Sequence, residues 1–200
     1  LSKLYYCTIN YANDLTVTND LHLSIGTSTP AILEGDVFFE ILHPSELGFT
    51  YRLRPAFNIG PPFNKTNQFK NAKLVPTIPS HSCTELLNPE DIFGHIAFTE
   101  RGGCTFVVKT SNAQEAGARA LIVTESLTAK EEALEDLIEM MDDSEKFEVD
   151  IPTGFLIGRH GAKILKTLAK LDLKHAIINL PVNISHIPAH KINQPPWIQW

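Results

Sequence analysis

The stretch that most limits what this chain can fold into runs from Gly94 to Glu125, GHIAFTERGGCTFVVKTSNAQEAGARALIVTE. His95 to Thr99 is a short run of β-branched, aromatic and small residues, bounded by Gly94 and by Glu100-Arg101, as a strand is. From Thr105 to Ala116 the residues Phe106, Thr110, Ala113 and Ala116 recur at close to the spacing of one helical face. Gly117 follows as a C-terminal stop, because a helix end often needs a left-handed backbone that glycine adopts without steric cost. Ala120 to Thr124 reads as a second, buried strand. Strand, helix and strand in about thirty residues make a crossover unit of the kind that joins parallel strands. Its hinge is Arg101-Gly102-Gly103-Cys104.

The same plan returns further on, with a strand at Thr153 to Gly158, a helix at Ala162 to Leu171 that buries Ile164, Leu165 and Leu168, and a strand at His175 to Leu180. Ahead of the hinge unit, Val37 to Leu42 is the first credible strand, and Gly48 to Leu53 is its expected partner. Pro55, Gly60, Pro61 and Pro62 mark Arg54 to Asn71 as a loop. Ala72 to Val75 is a short apolar step, and Ser82 to Leu87 is expected to make one helical turn. In Thr128 to Phe147 the residues Leu134, Leu137, Ile138 and Met141 fall at i, i+3, i+4 and i+7, which predicts an amphipathic acidic helix. Residues 1–35 are rich in Thr, Ser and Asn and are expected to form an irregular extension. No secretory leader is identified at their start. Residues 181–200 carry four prolines and two tryptophans. They are expected to form an extended tail, with Trp197 and Trp200 either folded back on the domain or presented to a partner.

The bulk numbers exclude several classes. With 43% hydrophobic and 20% charged residues, the chain is an ordinary globular one. No apolar run approaches the roughly 20 residues a membrane helix requires. The net charge of −6 is uneven, since residues 130–150 hold ten acids and two bases. No clustered basic surface of the kind that binds nucleic acid is evident. A solvated face explains the acidic segment.

The apolar strand, then Arg101-Gly102-Gly103-Cys104-x-Phe106-x-x-Lys109, then Ala113-x-x-Ala116-Gly117-Ala118 and Leu121-Ile122-Val123, resembles the core motif of the protease-associated domain. Ile151-Pro152, Phe155-Leu156-Ile157 and Gly161-x-x-x-Leu165 are similar to that domain's second half. The resemblance spans roughly residues 36 to 200. It implies an α/β fold of the swivelling β/β/α type: a mixed, open barrel-like sheet flanked by two principal helices, with the acidic helix peripheral. The expected organisation is an extension at 1–35, the domain at 36–180 and the tail at 181–200.

In the resembled family the cysteine of the hinge motif often pairs with one just upstream, which implies a Cys83–Cys104 disulfide. Closing a loop of that size is worth about 3 kcal/mol in the loop-entropy model. Two reduced buried thiols are the alternative, and Cys7 is left over. Asn64-Lys65-Thr66 and Asn183-Ile184-Ser185 fit the N-glycosylation pattern and, with a disulfide, speak for the secretory pathway. Gly102 and Gly103 are expected to serve a tight turn rather than to cradle an anion, since Cys104-Thr105 replaces the Lys-Ser/Thr a phosphate loop needs. Arg101 and Lys109 are expected to orient neighbours through ion pairs or hydrogen bonds. No Gly-x-Ser-x-Gly elbow and no His-Glu-x-x-His helix occurs.

The resemblance therefore implies a secreted, glycosylated, non-catalytic interaction module for a protein or peptide partner. No catalytic residue, metal, cofactor, nucleic acid or membrane insertion is expected. An accessory fragment of a larger peptidase, or a small hydrolase with an unrecognised site, is the alternative.

Overall fold

A computed structural model describes residues 35–64, 67–141 and 148–198. Residues 1–34 of the extension expected at 1–35, Cys7 among them, and Trp200 lie outside the described residues. Among the described residues seven strands run in chain order: β1 (Val37–His43), β2 (Thr50–Pro55), β3 (Phe69–Pro76), β4 (Ile96–Glu100), β5 (Ala120–Thr124), β6 (Thr153–Leu156) and β7 (Ala176–Leu180). Three helices join them: α1 (Pro89–Ile92), α2 (Phe106–Glu115) and α3 (Gly158–Lys170).

The strands close into a barrel in the order β1-β2-β6-β5-β4-β3-β7. β3, β4, β5 and β6 are parallel neighbours, and α2 is the crossover from β4 to β5. The barrel is closed where an open one is expected, because β7 pairs antiparallel with both β1 and β3. The second strand–helix–strand segment is thus no copy of the first. α3 carries the chain away from β6, and β7 enters the sheet beside β1 instead.

Alternation along the parallel strands explains why each is buried on both faces. Ile96 and Phe98 of β4, Ala120 and Ile122 of β5 and Leu156 of β6 join Phe39, Tyr51, Leu74 and Ile178 in one core, which α3 completes with Ile164 and Leu168. The intervening Ala97, Leu121, Val123 and Phe155 pack against Val107 and Ala113 of α2 in a second core. Each fully buried Phe or Leu contributes about 1.5–3 kcal/mol.

Four sequence expectations are corrected. β3 is an eight-residue strand rather than a short step, since the left-handed Asn71 (φ 50°) makes a bulge that absorbs a break in register. Ser82 to Leu87 holds no helical turn; the turn starts at Pro89, whose fixed φ suits a first helical position. α3 starts at Gly158, four residues before Ala162. Its Gly161 leans on β5 so closely that a Cβ would stand 1.9 Å from Thr124 Oγ1. The acidic segment is not a helix within its described part but a 3-10 turn, Glu131–Glu135, followed by extended chain. Acids three and four residues apart repel on a helix. The extended form also lets Met140 O accept from Phe57 N at 2.8 Å, and Met140 itself is buried.

The tail is extended, and it is laced to the barrel. Thr50 N donates to Asn193 O at 2.8 Å, Asn193 Nδ2 to Gly48 O at 2.7 Å and Val182 N to Phe38 O at 2.7 Å. Val182, Ile184 and Ile192 cover Phe38.

Candidate functional site

The hinge motif sits at the carboxyl ends of the parallel strands, the end of an α/β sheet where ligands commonly bind. β4 finishes at Glu100, and the chain turns back through Gly102 (φ 104°) and Gly103 (φ 81°), a conformation that only glycine takes without strain. Gly103 is also required for space, as a Cβ there would lie 2.9 Å from Cys83 Sγ. The turn delivers Cys104 to Cys83, and the two are joined as a disulfide with Cα atoms 5.7 Å apart. Thr105 then caps α2, its Oγ1 accepting from Val108 N at 3.4 Å.

One helical turn on, Lys109 is buried beneath the loop it follows. Its Nζ donates to Gly102 O at 2.6 Å and to His81 O, and lies 3.6 Å from Cys83 Sγ. Burial pushes its pKa down to about 8, against the pull of Glu100. Asn112, three residues further along α2, donates to Ser82 O at 2.8 Å. Ser82 Oγ lies 2.8 Å from Thr99 Oγ1 and 3.0 Å from Thr77 Oγ1, and both threonines donate to Ser80 O.

The charged groups beside the hinge are equally committed. Arg101 pairs with Glu125 at 2.8 Å. Glu125 also accepts from Ser126 N at 3.0 Å, while Glu100 accepts from Leu127 N at 2.9 Å and Ser126 Oγ at 3.1 Å. Chemically this is a brace. Its thiols are oxidised, its lysine spends two donors on backbone carbonyls, and its buried serine touches hydroxyls rather than a base. Among the described residues no three His, Cys, Asp or Glu side chains converge as a metal set would. His186 and His190 stand four apart, but Pro188 interrupts them and all three are exposed in the tail.

The remaining motif residues are structural. Phe106 and Ala116 pack at the rim of the second core. Gly117 (φ 80°) ends α2 where a Cβ would meet the Phe93 ring at 2.5 Å. Asn183 is exposed, its Oδ1 accepting from Ser185 N at 2.9 Å. Asn64 is exposed too, while Lys65 and Thr66 lie outside the described residues.

Trp197 is folded back on the domain and half-buried. Its ring meets Phe49 edge-on at 5.2 Å, Lys163 Nζ lies 5.4 Å from its centroid, and its Nε1 donates to His160 Nδ1 at 3.1 Å. A tryptophan's apolar body and single donor are best satisfied this way.

Two surfaces were not foreseen from the sequence. One is a cleft of about 490 Å³ between β2 and the acidic segment, with Phe57 and Met141 exposed in its walls. The other surrounds α1, where Leu87 and Phe93 are 75% and 74% exposed. Leu86, Leu87 and Phe93 read as ordinary apolar residues, and nothing local distinguishes the one that is buried from the two that are not.

Comparison with known proteins agrees with the hinge motif. Residues 70–164 match the PA domain. A Drosophila melanogaster protein named PRADC1-like protein is 46% identical over 178 residues, covering 89% of this chain and 89% of its own length. Human ER degradation-enhancing alpha-mannosidase-like protein 3 is 35% identical over 95 residues, which is 47% of this chain but 10% of that protein. A zinc aminopeptidase from Bacillus subtilis overlaps with a TM-score of 0.46 at 20% identity, over 71% of this chain and 29% of that one.

Proposed function

This chain belongs to the protease-associated domain family, and from that premise we propose that it is a non-catalytic protein-interaction module of the secretory pathway, glycosylated at Asn183 and Asn64. The observation that carries the reading is the brace itself. Lys109, Arg101, Glu100 and Glu125 are spent on the protein's own backbone or on a neighbouring side chain, and both hinge thiols are oxidised. A site with Lys109, Arg101 and two carboxylates fully engaged holds a shape; it does not transfer protons or attack a carbonyl. Exposed apolar residues remain on the surface, at Phe57 and Met141 and at Leu87 and Phe93, and exposed apolar surface is what binding faces are made of.

The Cys83–Cys104 disulfide supports an oxidising compartment. The word ER in the human relative's name points the same way. Exposure of Asn183 and Asn64 is what glycan attachment requires. The test is capture of partners from the medium and lumen of secreting cells with the full chain as bait, followed by titration of the purified partner. Saturable binding and no labelling of the bait by serine- or cysteine-directed activity probes is the expected result. Probe labelling, or no saturable partner, would overturn the reading.

A further inference from the structure

We propose that the face around α1 docks a cationic, apolar segment of a partner protein, a Lys or Arg flanked by aliphatic side chains. This names the partner chemistry of the interaction module proposed above and rests on that reading. Two hollows of about 470 and 280 Å³ adjoin on this face and share Pro89, Glu115 and Ala116. Three carboxylates line them, Glu90 and Glu115 in the first and Glu85 and Glu115 in the second, and no cation does. None of the three is in an ion pair among the described residues; Glu115 accepts only from Ser111 Oγ, at 3.4 Å. On α1 itself Asp91 is paired with Lys174 at 3.5 Å, which leaves Glu85, Glu90 and Glu115 as the carboxylates of this face with no cation beside them among the described residues.

Near α1 in the chain lie two further exposed apolar side chains. Leu87 N donates to Ile78 O at 2.6 Å, which sets Leu87 beside Ile78, itself 53% exposed. Phe93 stays 74% exposed while one part of its ring abuts Gly117, where any Cβ would collide with it. The ring rests on Gly117 with its remaining surface toward solvent. An aromatic face beside carboxylates attracts an ammonium or guanidinium group. The α2 C-terminus, at Ala116 and Gly117 in the wall of the same hollow, adds the negative end of a helix dipole. Aliphatic neighbours of that cation would cover Leu87 and Ile78.

The experiment titrates the full glycosylated chain into two fluorescein-labelled, end-capped ten-residue peptides, one alternating lysine with leucine and one alternating glutamate with leucine. Anisotropy is read at low and at physiological salt. The lysine peptide is expected to bind saturably, at least about tenfold tighter than the glutamate peptide, and more weakly as salt rises. Phe93→Ser, and separately the Glu90→Lys, Glu115→Lys pair, should each weaken it about tenfold. Leu42→Ser and Glu46→Lys, exposed residues elsewhere on the domain, should not. Equal binding of the two peptides, insensitivity to both site variants, or loss in Phe57→Ser instead would overturn the assignment. That outcome would leave the interaction module standing if capture still yields a saturable partner, so the two failures are separable.

Discussion

Acidifying the protein from pH 7 to pH 4 should weaken the fold by up to roughly 3 kcal/mol through His160 alone. His160 is 1% exposed, and it accepts from Trp197 through Nδ1 while its ring meets Tyr51 edge-on at 5.3 Å. Burial, reinforced by the nearby Arg52 cation, lowers its pKa from 6.5 to about 4. In the unfolded chain the ring takes up a proton below pH 6.5, while in the folded protein it does so only near pH 4. Stability is therefore complete above the unfolded value, drains away between the two and falls no further below the lower one. Protonation also places an N–H on Nδ1, facing the Trp197 N–H, so donor meets donor and the tail contact is lost. Urea midpoints at pH 7 and pH 4, compared between the wild type and His160→Asn, isolate this contribution from the carboxylates that titrate in the same window. A slope identical in the two proteins would contradict it. Trp197 fluorescence should red-shift over the same interval as its ring leaves Phe49 and His160.

Replacing Cys83 and Cys104 together by serine should cost about 3 kcal/mol, the loop entropy of a 21-residue separation. The consequence reaches beyond the bond. The disulfide holds the chain around Cys83 against the hinge, and Lys109 bridges those two segments through His81 O and Gly102 O. With the bond gone, that bridge spans two independent loops and its buried cation loses a fixed pair of acceptors. In a domain of this size the cost corresponds to a melting-point drop of about 10 °C. Adding Lys109→Met to the double serine variant should cost less than Lys109→Met does in the wild type, because the changes share partners. Strictly additive losses, or a melting point within a few degrees of wild type, would show that the brace is not one unit.

The parts of the fold that were legible are those whose signals are local. The strand at Ile96, the helix from Phe106 and the stop at Gly117 each follow from residues within one turn of the feature. The Cys83–Cys104 pairing was legible only through family resemblance; spacing left reduced thiols open. What stayed hidden depends on distant contacts. Tertiary packing, of Gly158 against Glu125 and Leu134 and of Gly161 against Thr124, holds both glycines in a helix their composition disfavours. The acidic segment shows a helical period, yet its backbone pairs with Phe57, 84 residues away from Met141 along the chain. Barrel closure was illegible for the same reason, since β7 must find β1 across the whole domain. At the site, Arg101 and Lys109 were recognised as orienting groups, but that Lys109 is wholly buried could not be read from a single lysine on a helix. Trp197 was one of two possibilities until His160 and Phe49 were seen beneath it.

The most direct test of a secreted interaction glycoprotein is the intact mass of the full chain expressed through a secretory host, measured before and after reduction and before and after glycosidase. The account predicts glycan mass that maps to Asn183 and Asn64, and a single Cys83–Cys104 bond that reduction opens. Unmodified asparagines with Cys83 and Cys104 recovered as free thiols would contradict it.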